Sequence, residues 1–115
     1  MIAVIFEVCP KQEGRETYLE IAASLLSELQ QQPGFLSIER FESLMEPGKL
    51  LSLSFWEDDA SVANWRAHPH HVEAQFAGRQ SLFRDYRLRV AAVIRDYGMK
   101  ERAQAPRDSA IRAVS

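Results

Sequence analysis

Residues 65–79 of this chain hold all three of its histidines, with Trp65, Gln75, Phe76 and Arg79 in the same run. Imidazole titrates close to neutral pH, so His68 or His71 could take a proton from a substrate as a general base. Gln75, one helical turn after His71, could orient that substrate. Arg79, one turn further, could stabilise an oxyanion, and Trp65 and Phe76 could supply an apolar wall. Each has a plainer structural role open to it: His68 as the cap of the helix that Pro69 begins, His70 in solvent, Trp65 and Phe76 in the core. His68 and His71, at i and i+3, also share a helical face as metal ligands would. Two histidines lack a third ligand, since Glu73 points elsewhere on the helix and Cys9 is remote in sequence, so no metal is expected.

The elements that position these residues follow from hydrophobic periodicity. Residues 2–9 alternate Ile2, Val4, Phe6 and Val8 with Ala3, Ile5, Glu7 and Cys9, a strand with apolar side chains on both faces that Pro10 stops. From Lys11 to about Gln32, Tyr18, Ile21, Ala22, Leu25 and Leu29 recur at helical spacing, with Glu16, Glu20, Ser24 and Glu28 opposite; Pro33-Gly34 ends the helix. Residues 35–45 and 49–56 form a hairpin about Glu46-Pro47-Gly48, with a bulge expected between Ile38 and Phe41. Asp58 to Ser61 opens a short helix through Trp65, and Pro69 starts another running to about Phe83. Residues 85–97 alternate Tyr86, Leu88, Val90, Ala92 and Ile94, which favours a last strand over a helix, closed by Gly98.

The order β-α-β-β-α-β is the split βαβ of a ferredoxin-like α+β fold: a four-stranded antiparallel sheet with both crossover helices on one face. The first, third and fourth strands are apolar in both phases, so the bare face would expose more apolar surface than a monomer tolerates. A homodimer packed sheet to sheet is expected.

The 115 residues make one domain, at 46% hydrophobic and 26% charged. Residues 1–98 are read as the folded domain and 99–115 as a tail, disordered or laid across the partner. The first strand is too short for a signal or membrane segment and Cys9 is the single cysteine, so a cytoplasmic setting is the default. Net charge is −2, with acidic residues concentrated before residue 79 and basic ones after. The arginines of the last part alternate with Leu88, Val90 and Ile94, which suits internal pairing and not a nucleic-acid face. No glycine-rich loop opens a helix, which excludes a nucleotide site of that kind, and no nucleophile elbow or Ser/His/Asp set is present.

The chain resembles the antibiotic biosynthesis monooxygenase (ABM) domain family. The likeness rests on Pro33-Gly34-Phe35, on Leu53-Ser54-Phe55-Trp56-Glu57-Asp58, on Trp65 with His68-Pro69-His70-His71, and on Tyr86-Arg87 with Val90, and it covers about residues 1–98. It implies a ferredoxin-like dimer with a pocket between helices and sheet in each subunit. There, some members oxygenate electron-rich aromatics such as anthrones or quinols without metal, flavin or haem. A haem-degrading branch of the superfamily carries an asparagine on the first strand, a tryptophan in the helical segment and an axial histidine ten residues after it. Asn64-Trp65 fits that pattern; Gln75 stands at the histidine position, and the first strand offers Phe6 and Glu7. The expected activity is therefore cofactor-independent oxygenation of a small aromatic substrate, with haem chemistry or passive ligand binding as the alternatives.

Overall fold

The structure, a computed structural model, describes residues 1–77 and 81–107. Strand β1 (Ile2–Pro10) leads through a 3-10 turn (Gln12–Gly14) into helix α1 (Arg15–Gln30). Strands β2 (Phe35–Glu42) and β3 (Leu50–Trp56), helices α2 (Asp59–Arg66) and α3 (Pro69–Ala77) and strand β4 (Phe83–Ala92) follow. The sheet order is β2-β3-β1-β4, antiparallel throughout, which is the ferredoxin-like arrangement. Among the described residues no helix is long and apolar enough to cross a membrane.

Three local expectations are corrected. The helix that Pro69 begins is described over Pro69–Ala77, Ser81 and Leu82 are π-helical, and Phe83 is a strand residue that opens β4 opposite Pro10. Phe83 makes aromatic contacts there with Phe6 at 5.9 Å and Tyr18 at 5.4 Å. β4 stops at Ala92, short of Tyr97, because Ile2, its partner there, is where β1 begins. The bulge of β2 falls between Phe35 and Ser37, ahead of the expected place. That one-residue slip lets Phe35 and Ile38, three apart, both face the helices, with Phe35 edge-on to Trp56 at 5.3 Å.

The register separates the two faces of the sheet. Val4, Phe6, Val8, Leu50 and Trp56 lie under the helices in two clusters, one built with Leu29, Val62 and Trp65, the other with Tyr18. The opposite phase places Ala3, Ile5, Leu51, Leu53 and Phe55 on the helix-free face, beside Glu7. Glu7 is paired with Arg89 at 3.0 Å and with Lys49 at 3.8 Å, and the Arg89 hydrogen bond holds its carboxyl below the usual range. The pairing of Glu7 with Arg89 joins the acidic first part of the chain to the basic last part.

The turn after α1 fixes where α2 starts. Gly34 adopts φ +81°, and a Cβ there would stand 2.0 Å from Ser61 Oγ. Ser61 donates from its backbone N–H at 2.8 Å and from its hydroxyl at 2.7 Å to Asp58 Oδ1, the N-cap of α2. Both hydrogen bonds lower the Asp58 carboxyl's affinity for a proton. Glycine is required at this point by backbone conformation and by space, and the contact seats the helix that carries Val62 and Trp65.

Candidate functional site

A cavity of about 190 Å³ lies between the helices and the sheet. β1 supplies Val4 and Phe6, α1 supplies Ile21 and Leu25, and β4 supplies Leu88 and Val90, so most of the wall is apolar. Leu88 and Val90 remain 46% and 45% exposed, which marks the side on which the helices leave the sheet uncovered. Small-molecule sites have this make-up: apolar walls and a few polar groups that fix orientation.

Those polar groups come from two places. The helix face of β2 and β3 contributes Arg40, Ser52 and Ser54, and α2 and α3 contribute Arg66, His71 and Gln75. Ser54 Oγ accepts from Trp56 Nε1 at 3.0 Å, a bond internal to the protein. Arg40 is different: its Nε is buried without a hydrogen-bond partner, and no ion pair reaches it among the described residues. An uncompensated cation beside apolar walls is costly for an empty site and favourable for one holding an anion.

His71 is the one histidine that lines the cavity. Its ring stacks on Trp65 with centroids 4.9 Å apart and planes 22° from parallel, and its Nδ1 is buried without a hydrogen-bond partner. Burial pushes its pKa below the ordinary value of 6.5; the backbone of Trp65 and Arg66 offsets part of that and the neighbouring His68 adds to it. Burial thus favours the uncharged form of the ring.

The other expected residues separate. Trp65 is 8% exposed and serves both as core and as cavity wall. Gln75, one turn after His71, lines the cavity with it. Phe76 is 61% exposed and stands outside the lining, because α3 turns His71, Ala74 and Gln75 inward and its next position outward. Arg79 lies outside the described residues. His68 is the N-cap of α3: its carbonyl accepts from Val72 at 2.9 Å and its Nδ1 from the His70 N–H at 3.3 Å. Its ring sits 5.1 Å from that of Trp65, outside the cavity lining. His70, assigned to solvent from sequence, is exposed, and on the surface it meets Glu28 of α1, with Nδ1 2.6 and 2.8 Å from the two carboxylate oxygens.

Arg40, Ser52 and Ser54 were not among the sequence candidates. The alternation Ser52-Leu53-Ser54 carried the signal, since two serines share the strand phase of the inward-facing Trp56. Which phase faces the helices was not determined by strands apolar on both sides.

A ferredoxin-like sheet with an apolar cavity under its helices has the make-up of a small-molecule site. Residues 1–76 match the family described as antibiotic biosynthesis monooxygenase, and the chain belongs to that family, whose name is one of oxidoreductases. Over 93 residues, 81% of this chain, it is 47% identical to the jasmonate monooxygenase ABM of Pyricularia oryzae, of whose length the match covers 43%. It is 34% identical over 93 residues to the uncharacterized protein YqjZ of Bacillus subtilis, of which 79% is covered. The structure of Rv0793 from Mycobacterium tuberculosis superposes with a TM-score of 0.75 at 18% identity, over 84% of this chain and 98% of that one, a likeness of fold.

Proposed function

We propose that this chain is a cofactor-independent monooxygenase that takes a small apolar substrate with an acidic O–H or C–H, of the quinol or anthrone kind, into the cavity. The observation that carries the reading is the partly buried His71 ring on the cavity wall, with an unpartnered Nδ1 and Trp65 stacked against it. His71 takes the substrate proton, and the anion left behind is a strong one-electron donor to dioxygen. For an anthrone methylene the balance closes without an outside reductant: R₂CH₂ and O₂ give R₂C=O and H₂O, both C–H bonds of the substrate supplying the electrons. Arg40 faces the anion that forms, Gln75 orients the ring, and the apolar walls exclude water from the reacting oxygen species.

The Pyricularia oryzae relative is named for jasmonate. Jasmonate is a carboxylic acid, whose charge an unpaired guanidinium would hold, so it is the second substrate to test. Haem is left out of the proposal because Gln75 occupies the cavity position at which the haem-degrading branch carries its axial histidine, and Glu7 of β1 faces the other side of the sheet. The apolar helix-free face fits pairing with a second copy, and the single Cys9 fits a cytoplasmic setting.

Oxygen uptake with a panel of anthrones, quinols and jasmonate tests the reading. Uptake with one compound, cut about 10²- to 10⁴-fold by His71→Ala, is the expected result. A compound that binds in the cavity without oxygen uptake leaves a passive binder, and uptake unaffected by His71→Ala removes that residue from the mechanism.

A further inference from the structure

We propose that Glu28, His68 and His70 form a site for a divalent transition ion of the Zn²⁺ type, outside the cavity and at the junction of α1 with α3. Each of the three offers one ligand atom, and these atoms lie within 4.8 Å of one another. His70 Nδ1 is 2.6 and 2.8 Å from the carboxylate oxygens of Glu28, and His68 Nδ1 is 3.9 Å from the nearer of them. Four ligands at the usual ~2.0–2.1 Å from Zn²⁺ in a tetrahedron stand roughly 3.3 Å apart. The Glu28–His70 pair is closer than that value and the Glu28–His68 pair wider, with all three ligand atoms within 4.8 Å, so an ion enters by an outward movement of the His70 ring and an inward one of His68.

The donors suit the ion. Two imidazoles and a carboxylate are the mixed N/O set that Zn²⁺ and its neighbours prefer over Mg²⁺ or Ca²⁺, and three protein ligands leave one position for water. A ligating imidazole nitrogen carries no proton, so binding here releases any proton between His70 Nδ1 and Glu28. His68 Nδ1 already acts as an acceptor, toward the His70 N–H at 3.3 Å, a long bond that is surrendered cheaply. Pro69 between the two histidines fixes the backbone at the start of α3 and keeps both rings on the α1 side. None of the three residues lines the cavity, so the ion would tie two helices together and would not meet the substrate.

The consequence reaches Trp65. Its ring contacts His68 at 5.1 Å and His71 at 4.9 Å, so an ion that draws His68 toward Glu28 alters the surroundings of Trp65 and tightens the helix that carries His71.

Isothermal titration of the full chain with ZnCl₂, with Co²⁺ absorption as a second readout, decides the matter. The expected result is one ion per chain, a Co²⁺ spectrum of low coordination number, and a melting temperature raised by about 5 °C at saturating Zn²⁺. Glu28→Gln and His70→Gln should each weaken binding at least tenfold while leaving circular dichroism unchanged, and His71→Ala should leave the affinity where it was. No binding above that of a His68→Gln/His70→Gln variant overturns the proposal. So does half an ion per chain with association of copies, or binding that follows His71 instead of Glu28. Because the readouts are affinity, spectrum and stability, the result stands apart from whether the cavity oxygenates anything.

Discussion

Replacing Gly34 by alanine tests whether the turn after α1 seats α2 as the geometry requires. The added methyl meets two separate penalties. At φ +81° an L residue pays about 1–2 kcal/mol for the left-handed conformation. A Cβ 2.0 Å from Ser61 Oγ and 2.7 Å from Ser61 Cβ also has to push Ser61 away from Asp58, and an N-cap of this kind is worth about 1 kcal/mol. Gly34→Ala should therefore destabilise the fold by about 2–3 kcal/mol, a large share of the total for a domain of this size. Urea unfolding followed by the fluorescence of Trp56 and Trp65, both buried, should show the midpoint fall by roughly 1–2 M with an unchanged slope, at fixed protein concentration.

The two penalties separate in a double-mutant cycle. Ser61→Gly removes both atoms that the new methyl would strike and keeps the backbone N–H that Asp58 caps. In that background Gly34→Ala should cost the conformational part alone, leaving a coupling of about 1 kcal/mol, above the ~0.5 kcal/mol within which independent sites add. If the two substitutions simply add, or if Gly34→Ala costs less than about 1 kcal/mol, the turn does not bear on α2 and the reasoning is wrong.

Four further outcomes follow from the site and the sheet. The His71 pKa is lowered by burial, so in the native state the ring stays neutral below pH 6.5 while the unfolded chain takes up a proton there; stability should fall as pH drops from about 6.5 toward the native pKa and level off below it. The acidic limb of kcat/KM should sit below pH 6.5 for the same reason, and a limb at or above that value would mean that another group is the base. Arg40→Met should leave thermal stability unchanged or higher, because it removes an unpartnered cation from apolar surroundings, while weakening an anionic ligand by tenfold or more; equal loss for an anionic ligand and its neutral ester would refute the charge argument. If two copies pair through the helix-free face, the unaltered chain scatters as a dimer and Leu53→Asp, in the middle of that face, as a monomer with the circular dichroism spectrum retained; a monomeric unaltered chain, or a dimer that Leu53→Asp leaves intact, refutes that pairing.

Elements were legible where one periodicity dominated, and lost where two constraints met. The alternation of β1 and the Tyr18, Ala22, Leu29 spacing of α1 gave these elements to within a few residues. Pro47-Gly48 marked the hairpin, and the shorter β2 reflects Leu44 and Met45 standing free in the connection at 100% and 94% exposure. The end of α3 was hidden because Phe83 continues the helical spacing of Val72, Phe76 and Arg79, whereas its partners Phe6 and Tyr18 are remote in sequence. Arg40 was hidden for a related reason: a charged residue in an alternating strand reads as solvent-facing until the bulge at Leu36 is known to reset the phase.

The division of the three histidines shows how a helix start decides chemistry. Pairing His68 with His71 assumes that both lie on the regular helix, but His68 is the N-cap, outside the helical phase, and only from Pro69 onward does each residue advance by about 100°. His71 then shares its direction with Ala74 and Gln75, toward the cavity, and His70, one step back, is turned to α1 and Glu28. Neighbours in sequence thus enter different environments: one ring partly buried and stacked on Trp65, the other exposed and paired with a carboxylate. A single-residue insertion between His68 and Pro69 would leave that internal division intact, since α3 carries its own phase, while His68, held to α2 by its N–H on the Trp65 carbonyl at 3.0 Å, would lose its place beside His70. The cavity base would survive while the α1–α3 junction lost a member. Activity and metal affinity measured on that one variant would therefore part company if the two sites are separate, and would fall together if they are one.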